Sequence, residues 1–195
     1  MPKVVDHAER RREIIYALWA VIYERGITGV TLQSVAAKAG VSVGRIQHYF
    51  ASKHALVLAG AHAMLDASVL AWSEDAEDDP SEGLAALARL PIPRSEAFRL
   101  GSSVWYAYLA TATADPQIGA VVRDAVRGGV ETATRLLARR DGDEGGAAGS
   151  DEPRLGAVRL IALSNGLAQA VYVGALEADE ALTVLDAEQA RRPKG

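Results

Sequence analysis

Apolar residues recur along this chain with the period of a helix almost everywhere. From about His7 to Arg25 the stripe is Ile15, Leu18, Trp19 and Ile22, spaced i, i+3, i+4, i+7 behind the charged lead Arg10-Arg11-Arg12-Glu13. Gly26 ends this helix in a position that favours left-handed backbone, and Thr31 caps a second helix whose stripe is Leu32, Val35, Ala36 and Ala39. Only Gly40 and Val41 separate it from Ser42, the cap of a third helix running from Val43 to about Phe50. There Ile46 and Phe50 face inward, while Gly44, Arg45, Gln47, His48 and Tyr49 are left outward. Ser52 caps a longer fourth helix through Leu56, Ala59, Ala63 and Met64 to about Trp72.

Downstream, the stretches Ser73–Gly83 and Asp141–Pro153 read as loops. Between them the pattern predicts a short helix over Ser81–Leu90, a Pro91-Ile92-Pro93 break and a helix over Ser95–Ala114. Asp115 as cap with Pro116 in the first turn then opens a helix carrying Ile118, Val121, Val122, Leu136 and Leu137. The pair Gly128-Gly129 inside it implies either a kink or the close approach of another helix. Two last helices are expected over Pro153–Leu176 and Asp179–Arg192. No segment alternates with period two for long enough to make a strand. The expected fold is therefore all-α, about nine helices, with a three-helix head at residues 1–52 and a helical body at 53–195.

Helices two and three have the short glycine turn that lets one helix brace another in the DNA major groove, although an ordinary helical hairpin has the same outline. Charge favours the first reading. Net charge is −4, yet residues 1–60 hold eight Lys/Arg against four Asp/Glu, while residues 61–195 hold 13 against 21. A basic head on an acidic body suits a polyanion at one end and a different partner at the other.

Composition excludes more than it suggests. The absence of cysteine removes disulfides, thiolate zinc sites, iron–sulfur clusters and cysteine nucleophiles. His7, His48, His54 and His62 show no His-x-x-x-His spacing, and neither a Gly-x-Ser-x-Gly run nor a phosphate loop is present. Asp141, Asp143, Gly146 and Glu152 match some positions of a calcium loop, but Gly145 stands where a ligand belongs. No enzymatic constellation, metal or cofactor is expected. No apolar run reaches the roughly 18 residues of a membrane span, and the first residues form no signal segment. A cytoplasmic location without membrane contact is expected.

The run from Gly29 to Lys53, with Thr31 opening helix two, Ala36 to Ser42 forming the turn, Gln47 to Phe50 following and Lys53 beginning helix four, resembles the DNA-binding domain of TetR-family transcriptional regulators. Gln47 departs from the pattern, because the family commonly has an aromatic there; an amide can instead reach a base edge or a phosphate oxygen. The segments from Val104-Trp105-Tyr106 to Asp115-Pro116, and from Asn165-Gly166-Leu167 to Asp179-Glu180-Ala181, resemble the C-terminal domain of the BetI-type subgroup. The resemblance implies a ligand-responsive repressor that binds a palindromic double-stranded operator as a homodimer.

Roles follow from chemistry on that premise. Arg45 suits bidentate bonding to guanine O6 and N7, or a phosphate clamp. The resemblance puts Gln33 near the groove, able to read adenine; Val43 and Gly44 allow close approach, and His48 reaches a base or phosphate. Thr31, Ser42, Tyr49 and Lys53 look like phosphate anchors. The resemblance assigns the last two helices to the dimer interface, here through Leu160, Leu163, Leu167, Val171, Leu182 and Leu185 with small Gly156, Gly166 and Gly174. Phe98, Trp105, Tyr106 and Tyr108 either line an effector cavity or fill a core. The competing function is a helical small-molecule-binding protein without DNA recognition.

Overall fold

The computed structural model describes residues 3–70, 79–142 and 152–190. Among these residues there are nine α-helices and no strand. They are α1 (Lys3–Arg25), α2 (Leu32–Ala39), α3 (Val43–Tyr49), α4 (Lys53–Leu70), α5 (Pro80–Arg89), α6 (Glu96–Thr111), α7 (Pro116–Arg140), α8 (Glu152–Tyr172) and α9 (Ala178–Gln189), with a 3-10 turn at Ile27–Gly29. The expected helix ends at Trp72 and Arg192, and most of the calcium-like loop, lie outside the described residues.

Two boundaries differ from the sequence reading for identifiable reasons. The first loop ends at Asp79, whose carboxylate accepts from the Ser81 and Glu82 N–H groups at 2.9 and 3.3 Å, so that Pro80 becomes the first residue of α5. This is the same Asp-Pro start that opens α7, where Asp115 accepts from Gln117 and Ile118 N–H. Helix α8 stops at Tyr172 rather than Leu176. Gly174 adopts φ +76°, its N–H donates to the Val171 carbonyl and the Ala175 N–H donates to Ala170, closing the helix end before Leu176 can join it. Gly128 and Gly129 sit in an unbroken α7, and a Cβ at either would meet nothing within 4 Å, so no element of the described chain approaches them closely.

Packing groups the residues into two compact units, one formed by Met1–Ser68 with Ser103–Arg123, the other by Val69–Ser102 with Asp124–Gly195. In the first, Ile14, Leu18 and Ile22 of α1 are buried, as are Val35, Ile46, Leu56, Tyr108 and Ile118 from five further helices. Each such aliphatic side chain contributes about 1.5–3 kcal/mol by leaving water. That burial, rather than the exposed pairs Lys38–Glu24 and Arg10–Glu13, holds this unit together. In the second unit Leu84 and Ile92 meet Leu136 of α7, Leu160 of α8 and Leu185 of α9. Its one fully buried polar side chain among the described residues, Ser164, donates to the Ala88 carbonyl at 2.6 Å.

Candidate nucleic-acid interface

The helix–turn–helix is built by side chains that close its own backbone. Thr31 Oγ1 accepts from the Ser34 N–H while the Thr31 N–H donates to Ser34 Oγ, both at 2.9 Å, fixing the start of α2. Gly40 ends α2 at φ +65°, a conformation that L side chains rarely adopt, and Val41 N–H donates back to Ala36 at 3.0 Å. Ser42 Oγ then accepts from the Arg45 N–H at 3.2 Å, capping α3 two residues after the glycine. Thr31 and Ser42 each accept with an oxygen whose hydroxyl hydrogen stays free to donate to a phosphate.

Burial separates the two faces of α3. Ile46 and the following Phe50 are inside, whereas Ser42, Gly44, Arg45, Gln47 and His48 are exposed and Val43 and Tyr49 half-buried. Thr31, Gln33 and Lys53 are exposed as well. A Cβ at Gly44 would meet nothing within 4 Å, which leaves open space where a groove floor can approach. Arg45 and Lys53 make no ion pair among the described residues, while Lys38 is taken by Glu24, whose carboxyl that ammonium holds below the usual carboxylate range. Two contacts were not legible in the sequence. The His7 ring lies 4.5 Å from that of Tyr49, which in turn lies 5.1 Å from His48, and the Arg11 guanidinium sits 5.1 Å over Phe50. Both bring the first turns of α1 against the end of α3, a tertiary juxtaposition that helical periodicity does not encode.

Helix α4 is gripped at one turn. The Tyr108 hydroxyl donates to the Val57 carbonyl at 3.0 Å, and the Trp19 indole N–H donates to the Gly60 carbonyl at 3.3 Å. Gly60 makes room for this contact: a Cβ there would lie 2.5 Å from both Tyr108 Oη and Leu18 Cδ2, so a larger residue would force one of them to shift. Burial pushes the Tyr108 phenol well above the usual tyrosine range, even though its bond with Trp19 acts the other way, so its hydroxyl remains a donor at any working pH. At the start of α4, His54 Nε2 lies 2.9 Å from Asp115. The Ile118 N–H, followed by His54 and the Gln117 N–H, holds the Asp115 carboxyl below its usual range against the opposing effect of desolvation.

Beside the grip is a cavity of about 10 Å³ lined by Ala61, Met64, Leu65, Trp105, Tyr108, Val121 and Val122. It has room for roughly one water molecule. Of the four aromatic residues considered for an effector site, Trp105 and Tyr108 line it. Tyr106 is half-buried elsewhere, and Phe98 belongs to the second unit, where Arg94 lies 4.8 Å over its ring.

The six aliphatic residues expected at a dimer interface turn toward the core of the single chain. Leu160, Val171 and Leu185 are buried in it, and Leu163, Leu167 and Leu182 pack against it. The more apolar stripe of each helix is the one its own unit buries first. What remains outside is a second stripe on α8, Leu155, Val158, Ala162 and Gly166, with Val173 just past its end and Val184 on α9. Leu155 is 63% exposed, Val158 45% and Val173 67%, and a Cβ at Gly166 would meet nothing within 4 Å.

Among the described residues no helix is long and apolar enough to cross a membrane, and no group of three or more His, Cys, Asp or Glu could hold a metal ion. The family model of bacterial regulatory proteins of the tetR family matches residues 14–59, and that of the BetI-type transcriptional repressor C-terminal region matches residues 80–192. The HTH-type transcriptional regulator PksA of Bacillus subtilis (strain 168) is 32% identical over 171 residues, covering 86% of this chain and 81% of that protein. The HTH-type transcriptional regulator BetI of Stenotrophomonas maltophilia (strain R551-3) is 30% identical over 126 residues, covering 63% of this chain and 64% of that protein. A crystal structure described as a transcriptional regulator from Saccharomonospora viridis, in complex with choline, aligns with a TM-score of 0.80 at 26% identity, covering 92% of this chain and 95% of that one.

Proposed function

The chain belongs to the TetR family of bacterial regulatory proteins, with the C-terminal region of a BetI-type transcriptional repressor, and from that premise we propose that it is a ligand-responsive repressor binding a palindromic operator as a homodimer. Its relatives are transcriptional regulators, not enzymes. The observation that carries the reading is the exposed polar face of α3, whose Arg45 makes no ion pair among the described residues, presented by a turn whose every backbone closure is local. In this reading residues 1–52 read DNA and residues 53–195 dimerise and sense a small molecule. Arg45 reads guanine, Gln33 and Gln47 reach base edges or phosphates, and Val43 and Gly44 let the helix sit deep. Thr31, Ser42, Tyr49 and Lys53 anchor phosphates, and His48 borders them. The choline complex of a similar structure supports small-molecule response.

The dimer face we propose is the outward stripe of α8 and α9. A single three-helix head covers one half-site, and a two-fold partner supplies the second about one helical turn or a multiple away. Apolar Leu155, Val158 and Val173 around the open Gly166 fit a second copy of the same helix pair.

Salt dependence separates this function from a ligand-binding protein that ignores DNA. Operator affinity should fall steeply with salt, and Lys53→Ala should flatten the log–log slope by about one per half-site while weakening all sequences alike. Binding that is absent, or indifferent to salt, favours the ligand-binding protein instead.

A further inference from the structure

The first turns of α1 and the end of α3 bring three rings together. His7 lies 4.5 Å from Tyr49 and 6.1 Å from His48, and His48 meets Tyr49 edge-on at 5.1 Å. Arg11, one turn along α1 from His7, puts its guanidinium over Phe50, so one face of α1 covers both Tyr49 and Phe50. Packing alone does not call for imidazoles here, because apolar side chains would hold the two helices with no polar group to keep wet. Both imidazoles are exposed, and neither makes an ion pair among the described residues, whereas His54 is held by Asp115. The charges around them are positive. Arg10 and Arg11 stand one turn further along α1, Arg45 one turn back on α3, and Lys53 at the start of α4. Glu13 is taken by Arg10, and Glu9, two residues after His7, does not share its face of the helix. Such a surface suits an anion that comes from outside the chain.

We propose that His7 is a further operator-binding residue, contributed by α1: with His48 it forms a pair of imidazoles around Tyr49 that takes a backbone phosphate, and protons are taken up as DNA binds. The inference rests on the DNA-binding reading above. The seven residues of α3 span about 10 Å. With its first turn at the base edges, its far end approaches the phosphate wall of a groove about 12 Å wide, and the start of α1 comes with it. An imidazole changes charge within the physiological range, and a phosphate beside it favours the charged form. The direction follows. DNA-bound protein holds more protons than free protein, so affinity rises as pH falls through the histidine range. Two imidazolium rings 6.1 Å apart repel each other in the free chain and share an anion in the complex, which ties the proton uptake to DNA.

The test uses the full chain and a duplex it selects, titrated by anisotropy of the labelled duplex at roughly pH 8, 7 and 6 and constant ionic strength. Wild-type affinity should rise about 3–30-fold from the highest pH to the lowest. His7→Phe keeps a ring against Tyr49 and removes the titrating nitrogens. Its shortfall against wild type should widen as pH falls, leaving less than half of the wild-type pH response on a logarithmic scale. His7→Gln, which keeps a polar side chain without the titration, should do the same and stands in should His7→Phe fail to fold. Salt gives a second reading: at the lowest pH the log–log slope of the variant should be flatter than that of wild type by up to about one per half-site, and the two slopes should converge at the highest. Wild-type affinity that ignores pH overturns the inference, as does a His7→Phe protein with the wild-type pH response. A shortfall of equal size at every pH assigns His7 to packing alone and overturns it too. A wild-type chain that binds no duplex at any pH overturns the regulator reading, and the inference with it.

Discussion

Leu155→Asp combined with Val158→Asp is expected to leave a folded monomer whose operator affinity is lower by about 10²–10⁴-fold. Both side chains stand largely in solvent on α8, so replacing them removes no core contact, and the helical signal and melting temperature of the chain should change little apart from the loss of dimer linkage. What disappears is the second head. In a dimer the second half-site is met at a high effective concentration, whereas a monomer engages each half-site independently. Sedimentation equilibrium and a duplex titration read the two effects separately. Leu160→Asp provides the contrast: it places a charge in the core, where Leu160 is 6% exposed, and should unfold the second unit instead of merely splitting the dimer. A double variant that stays dimeric would move the interface off this stripe.

Arg45→Ala should lose discrimination at one base pair of each half-site, about 1–3 kcal/mol per site, with unchanged thermal stability. The side chain is exposed and pairs with nothing among the described residues, so the folded chain does not depend on it. Arg45→Lys distinguishes the two roles open to this residue. It keeps the charge and loses the planar fork, so a base-reading arginine is not rescued, while a phosphate clamp is largely restored. Competition titrations between the selected duplex and single-base variants measure the difference.

Much of the head was legible because its signals are local. Thr31, Gly40 and Ser42 fix helix ends through atoms three to five residues away, and such contacts can be read from a sequence. The Asp79-Pro80 start carried the same signal as Asp115-Pro116 but sat inside an acidic stretch whose composition spoke for a loop. The aliphatic residues expected at a dimer interface fell on the inward stripe of α8 and α9 for a related reason. Periodicity finds the most apolar face, and a chain folding alone buries that one, leaving Leu155 and Val158 as the weaker outward pattern. The grip on α4 needed tertiary structure, although an isolated glycine at position 60 of an otherwise apolar helix was a sign that something packs close. Phe98 and Trp105 looked equivalent along the sequence, and only packing placed one at the cavity and the other outside its lining.

The most direct measurement is selection of genomic fragments by the purified protein at fixed salt. A sequence-specific dimeric regulator enriches fragments sharing one palindrome, with half-sites separated by one helical turn or a multiple of it. Recovery of fragments with no common site, at an affinity no different from that for random duplex, would contradict DNA recognition by α3 and leave the chain as a small-molecule-binding member of its family.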